Sequence, residues 1–162
     1  MSEYFIDFIN DVPDDTLTFG VYQTYANTPG IDSVAWLRAD VPESGTAGVK
    51  FYETYCVVNA DYYDDNQKGR YMASQTYDTK LGAAWTLVDS EKVSQFSKKV
   101  GYSGADNLIT IRNSSKNTAS LGIGMSGRLS AIKKKVYVDA LAAFKVTPTF
   151  WVGIFSDLQI GD

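Results

Sequence analysis

Histidine is absent from all 162 residues. Its absence removes Ser-His-Asp and Cys-His catalysis, imidazole general bases and histidine-ligated zinc. A single cysteine, Cys56, excludes an intrachain disulfide, a thiolate zinc site and an iron–sulfur cluster. Cys56 stands among apolar neighbours in "TYCVVN" and reads as a small core residue rather than a reactive thiol. No apolar stretch approaches bilayer length, so membrane insertion is not expected. The opening "MSEYFIDFINDVPDD" lacks a basic n-region, a long apolar core and a small-residue cleavage site. It is not a secretory signal of the usual form. The address stays open between the cytoplasm and an extracellular location reached by a non-standard or already processed route.

Positive charge is also scarce: 15 Lys and Arg against 19 Asp and Glu give a net charge of −4. A phosphate backbone wants a clustered basic surface, so nucleic acid is not an expected partner. Lys133, Lys134 and Lys135 form the densest basic run and read as a solvated strand face or edge protection. The chemistry that survives is that of carboxylates, lysine, oxygen-ligated calcium or magnesium, and plain binding. No catalytic constellation stands out. The expectation is a protein that is not an enzyme and carries no cofactor.

What the chain does have is alternation and aromatic side chains. In "TLTFGVYQTY", Leu17, Phe19 and Val21 point one way, with Thr18, Gly20 and Tyr22 opposite, as on a half-buried strand. "SVAWLR", "VKFYETYCVVN", "RYMASQTY", "AAWTLVD", "NLITIRN", "SLGIGMS", "KKVYVDA" and "AAFKV" continue the pattern, separated by Gly, Pro, Asn and Asp turn signals. In the third strand, Val49, Phe51, Tyr55 and Val57 would share a face. "ADYYDDNQKG" reads as a loop, and "TFWVGIF" as a buried strand. "SEKVSQFSKKV" is open between a short helix and a strand, and 140–144 has some helical character. Trp36, Trp85 and Trp151 are expected in the core. The fold class is therefore all-β: a single-domain β-sandwich, jelly-roll or Ig-like, of about nine to eleven short strands. Residues 1–15 form an N-terminal apolar arm and residues 16–162 the sandwich domain.

Four features are candidates for function. Gly122, Gly124 and Gly127 in "LGIGMSG" have dinucleotide-fingerprint spacing. That fingerprint belongs after a parallel strand and opens a helix, with further βαβ units behind it. Only about forty residues follow, so the glycines read as strand residues that mark bulges or close backbone approach. In the acidic loop, Asp61, Asp64 and Asp65 could supply oxygens to calcium, but the spacing is not that of an EF-hand, and a solvated hairpin tip is the plainer reading. Tyr62 and Tyr63 could stack on a sugar ring. In the arm, Tyr4, Phe5, Ile6, Phe8 and Ile9 are apolar on both faces and need cover from both sides, either within their own sandwich or on a neighbour's sheet.

The combination "LTFGVYQTY…SVAW", "GIGMSG" and "FKVTPTFWVGIF" resembles small bacterial rhizosphere-expressed RhiA-type proteins over most of the chain after residue 15. The resemblance implies a compact bacterial β-protein of unassigned biochemistry and transfers no functional residues. The expected function is that of a non-catalytic structural protein, a homo-oligomer or polymer that self-associates into a filament or layer through its N-terminal arm. The alternative is a carbohydrate-binding β-sandwich that meets a glycan with exposed tyrosines and the acidic loop.

Overall fold

The computed structural model describes residues 2–25, 30–65, 68–156 and 158–162. The described residues are all-β and form a β-sandwich of fifteen strands, with no helix. The extra strands over the nine to eleven expected are mostly very short ones.

A two-stranded antiparallel ribbon pairs β1 (Glu3–Ile9) with β5 (Thr46–Tyr52). It stacks on a three-stranded sheet ordered β15-β2-β4, with β2 Leu17–Tyr25, β4 Ala35–Val41 and β15 Pro148–Phe155. A five-stranded central sheet runs β3-β13-β12-β6-β7. Its members are β3 Asp32–Ser33, β6 Tyr55–Asp65, β7 Lys68–Thr79, β12 Ala119–Met125 and β13 Arg128–Val136. An outer sheet runs β10-β8-β11-β14, with β9 also on β8. Here β8 is Ala83–Ser90, β9 Val93–Phe96, β10 Gly101–Tyr102, β11 Leu108–Ser114 and β14 Leu141–Lys145. The pair β8–β11 is parallel; every other described pair is antiparallel.

Three apolar clusters hold these layers. Val57, Leu121 and Ile123 of the central sheet meet Leu87, Ile109, Ile111 and Phe144 of the outer sheet. Phe8 and Phe51 of the ribbon meet Val21, Trp36 and Val41 of the three-stranded sheet. Cys56, Val58, Ala60, Leu129 and Ile132 fill the other face of the central sheet with Val34. The run Cys56, Val57, Val58 is continuously apolar because β6 is covered on both faces. Each large side chain buried this way stabilises by about 1.5–3 kcal/mol. Trp36 is fully buried, and its indole N–H donates to the Met125 carbonyl at 2.9 Å, so the second cluster is tied to the central sheet.

Several sequence expectations change. "VKFYETYCVVN" is two strands in different sheets: the chain breaks at Glu53 and Thr54, Phe51 enters the ribbon core, and Val57 enters another core. The turn after β12 fixes the break. Ser126 N–H donates to the Thr54 carbonyl at 2.8 Å, and the Ser126 hydroxyl accepts from Tyr52 N–H at 2.9 Å. "SEKVSQFSKKV" contributes the strand β9, and 140–144 lies largely in β14 rather than in a helix. Most of "ADYYDDNQKG" is strand, because β6 and β7 pair as one long hairpin from Tyr55↔Thr79 to Asp65↔Lys68. "TFWVGIF" is not buried: β15 is an edge strand, and Trp151 is 61% exposed. Trp36 and Trp85 are buried as expected.

Candidate functional site

The arm is strand β1, in register with β5 from Glu3↔Tyr52 to Ile9↔Thr46. Period-two alternation divides its side chains. Tyr4 stacks on Phe51 at 5.4 Å, Ile6 is half-buried, and Phe8 is buried and stacks on Phe19 at 4.7 Å. Phe5 and Ile9 point away from the core and are each 66% exposed. Asn10 anchors the end of the arm. Its buried amide donates to the carbonyls of Asp15 (2.8 Å) and Val41 (3.0 Å), and its oxygen accepts from Val12 N–H at 2.9 Å.

Two bonds at the ends of the pair set the hydrogen-bonding parity. Glu53 N–H donates to the Ser2 carbonyl at 3.3 Å, and Asn10 N–H to the Gly45 carbonyl at 3.0 Å. In an antiparallel ladder, directly opposed residues alternate between bonded and non-bonded pairs. Even-numbered residues of β1 therefore bond to β5, and the N–H and C=O groups of Glu3, Phe5, Asp7 and Ile9 face outward along the other edge. On the ribbon face turned away from the core, Lys50 of β5 forms an ion pair with Glu3 and lies over the rings of Phe5 (5.9 Å) and Tyr52 (5.3 Å). The hydrogen bond to Glu3 raises the ammonium pKa.

Strand β15 is the second open edge. In its pairing with β2, Phe150, Val152 and Ile154 stand opposite Gln23, Val21 and Phe19, and so share the face on which the ribbon packs. The ribbon has only two strands to cover three. Phe150 reaches Trp36 (5.9 Å) and Phe51 (5.4 Å), yet Phe150, Val152 and Ile154 remain 40%, 49% and 60% exposed. Tyr4, Phe51, Glu53, Tyr55, Met125 and Phe150 line a hollow of about 170 Å³ between the ribbon and β15. Residues 146–156 contain no charged side chain, although edge strands are ordinarily blunted by charge; the one proline, Pro148, stands at the first position of β15. The sequence reading missed Phe150, Trp151, Val152 and Ile154 as surface residues. That uncharged run was the signal that could have found them.

The remaining candidates are dispersed. Gly122 and Gly124 lie within β12, and Ser126 and Gly127, both with positive φ (58° and 72°), form its turn to β13. A Cβ on Gly124 would collide with the Arg128 carbonyl and lie 3.1 Å from Cys56 Sγ; on Gly122 it would lie 2.5 Å from Leu129 Cδ1. The register of β12 against β13 steps between Ile123↔Ala131 and Gly124↔Leu129, with Ser130 as the extra residue. The glycines thus mark a bulge and a close backbone approach. Cys56 is buried, and burial pushes its thiol up to about 12, with Asp78 adding to the shift. Asp61 is exposed on β6. The side chains of Asp64 and Asp65, and Asn66 of the same stretch, lie outside the described residues. Among the described residues, no group of three or more His, Cys, Asp or Glu is placed to hold a metal ion. Tyr62 and Tyr63, consecutive on a strand, face opposite sides. Tyr62 packs on Tyr71 at 5.0 Å and covers Gly69. Lys134 pairs with Asp32 at 3.1 Å, and Lys134 and Lys135 are exposed on β13.

These features describe an all-β sandwich protein with exposed apolar side chains along the open edges of β1 and β15. The chain belongs to the RhiA family, whose model matches residues 1–162. No curated protein and no solved structure matches it.

Proposed function

We propose that this protein is non-catalytic and self-associates by strand addition, with the outward edge of β1 in one copy meeting the β15 edge of the next. The observation that carries this reading is β15 itself: an uncharged edge strand with Phe150, Trp151, Val152 and Ile154 exposed beside the ribbon that carries the arm. Backbone bonds along an added strand give affinity, and alternating side chains set register. Charge favours a head-to-tail contact. Pairing β1 with its own copy brings Glu3 and Asp7 of both strands into one ribbon, whereas β15 opposes them with no charge. A head-to-tail contact builds an open filament unless the rotation closes a ring. The test is deletion of residues 1–10, read by light scattering and thermal melting. A truncated chain that stays folded and no longer assembles supports the reading. Assembly that persists without the arm contradicts it.

One observation favours a second reading, glycan binding. A groove of about 290 Å³ is lined by Asn59, Asp61, Tyr62, Ser94, Asn117 and Ser120, among others, and is almost wholly polar. Asp89 fixes both walls, accepting from the Ser94 hydroxyl and the Lys116 N–H at 2.8 Å each. Paired donors and acceptors of this kind suit vicinal hydroxyls. A neutral-glycan array, with Asp61→Ala as the comparison, tests it: binding lost in the variant supports the reading, and a blank array contradicts it.

A further inference from the structure

The chain contains four arginines, and three of them line one cleft. Arg38 of β4, Arg70 of β7 and Arg128 at the start of β13 surround a space of about 470 Å³, whose apolar wall includes Met72, Leu129 and Ile160. Among the described residues, no Asp or Glu belongs to the lining. Arg38 has a carboxylate partner, Asp40, at 2.9 Å. Among the described residues Arg70 has none: its guanidinium donates to the Gln159 side-chain oxygen, and its Nε is buried without a partner. Arg128 makes no side-chain contact with an acid among the described residues.

The backbone holds the cleft open. Segment 158–162 lies between two strands: Tyr71 N–H donates to the Gly161 carbonyl at 3.0 Å, and Gly161 N–H to the Ala35 carbonyl at 2.9 Å. Gly161 has φ +94°, and a Cβ there would strike the Tyr71 backbone, so no other residue closes this wall. The positive-φ turn at Gly127 delivers Arg128 to the mouth.

A guanidinium stays charged in a protein and presents a rigid fork that matches a carboxylate or phosphate. In a chain of net charge −4, counter-charges are plentiful. Two guanidiniums left without one in a half-apolar cleft are therefore a recognition feature. The volume suits a small molecule, whose orientation would be fixed by a few polar groups. We infer that this cleft binds a small amphiphilic anion, with its carboxylate or phosphate head on Arg70 and Arg128 and its apolar body against Met72, Leu129 and Ile160.

Calorimetry with four probes tests this: decanoate, decyl phosphate, decanol and inorganic phosphate. One of the two decyl anions is expected to bind saturably at one per chain, and which one does so identifies the head group. Decanol and inorganic phosphate should each bind at least about tenfold more weakly, the scale of one charge-assisted hydrogen bond. Arg128→Gln and Arg70→Gln should each cost the anion a similar factor. Arg112→Gln, at the arginine outside the cleft, should cost nothing. Melting temperatures confirm that each variant is folded. Failure of both anions to saturate, decanol binding as well as decanoate, or affinity unchanged in both cleft variants would overturn the inference.

Discussion

Replacing Gly124 with alanine puts the glycine spacing to a physical test. The added Cβ would overlap the Arg128 carbonyl and lie 2.6 Å from its carbon, while Cys56 Sγ at 3.1 Å blocks retreat on the other side. The strand cannot rotate to relieve the clash, because β12 is paired on both edges, to β6 and to β13. Either the hairpin shifts by roughly an ångström or the ladder next to Arg128 opens. Overpacking of this kind costs about 1–3 kcal/mol, and a broken ladder bond adds about 1 kcal/mol. The expected loss is therefore about 3 kcal/mol, a fall in melting temperature of roughly 6–12 °C for a chain of this size. Urea denaturation with an unchanged slope is the assay. Gly101→Ala is the control, since a Cβ there meets nothing closer than the Ala84 Cβ at 3.8 Å. A Gly124→Ala protein as stable as that control would refute the close-approach account.

Other outcomes follow from the same geometry. Asn10→Ala should destabilise by about 1–3 kcal/mol in urea, because the Val41 carbonyl loses its buried donor; a loss within error of zero would show that water replaces the amide. The Cys56 thiol is raised from 9.0 to about 12 by burial, so the folded chain holds this proton more tightly than the unfolded one. Its stabilising contribution is complete below pH 9 and is lost as pH rises towards 12. Cys56→Ala should therefore flatten, without abolishing, the alkaline fall in stability, since half-buried tyrosines such as Tyr22 and Tyr55 are also raised; an unchanged slope would contradict this. Calcium or a chelator should leave the melting temperature unchanged; a shift abolished by Asp64→Ala would establish a cation site in the acidic hairpin.

Strand-forming segments were legible because alternation reports one covered face, as Leu17, Phe19 and Val21 show. Trp36 was legible for equally local reasons, whereas Gly127, read with Gly122 and Gly124 as a strand residue, lies in the turn after β12. The break at Glu53 and Thr54 was not, because it is imposed by Ser126, more than seventy residues away in the chain. Nor was the fate of "TFWVGIF". A continuous apolar run says that a strand can be covered on both faces, not that a two-stranded ribbon stops short of covering it. The arginine cleft was invisible for the same reason, since Arg38, Arg70 and Arg128 are brought together only by the tertiary placement of β4 beside β7 and β13 of the central sheet.

Sedimentation velocity over a concentration series, on the full chain and on Val152→Lys, tests the self-association account most directly. Val152 is 49% exposed, so a lysine there should leave the fold intact and place charge at the centre of the proposed contact. The account predicts that the full chain grows in mean mass with concentration, and that Val152→Lys remains a folded monomer across the same range. A full chain that is monomeric throughout, or a variant that assembles as the parent does, would contradict it.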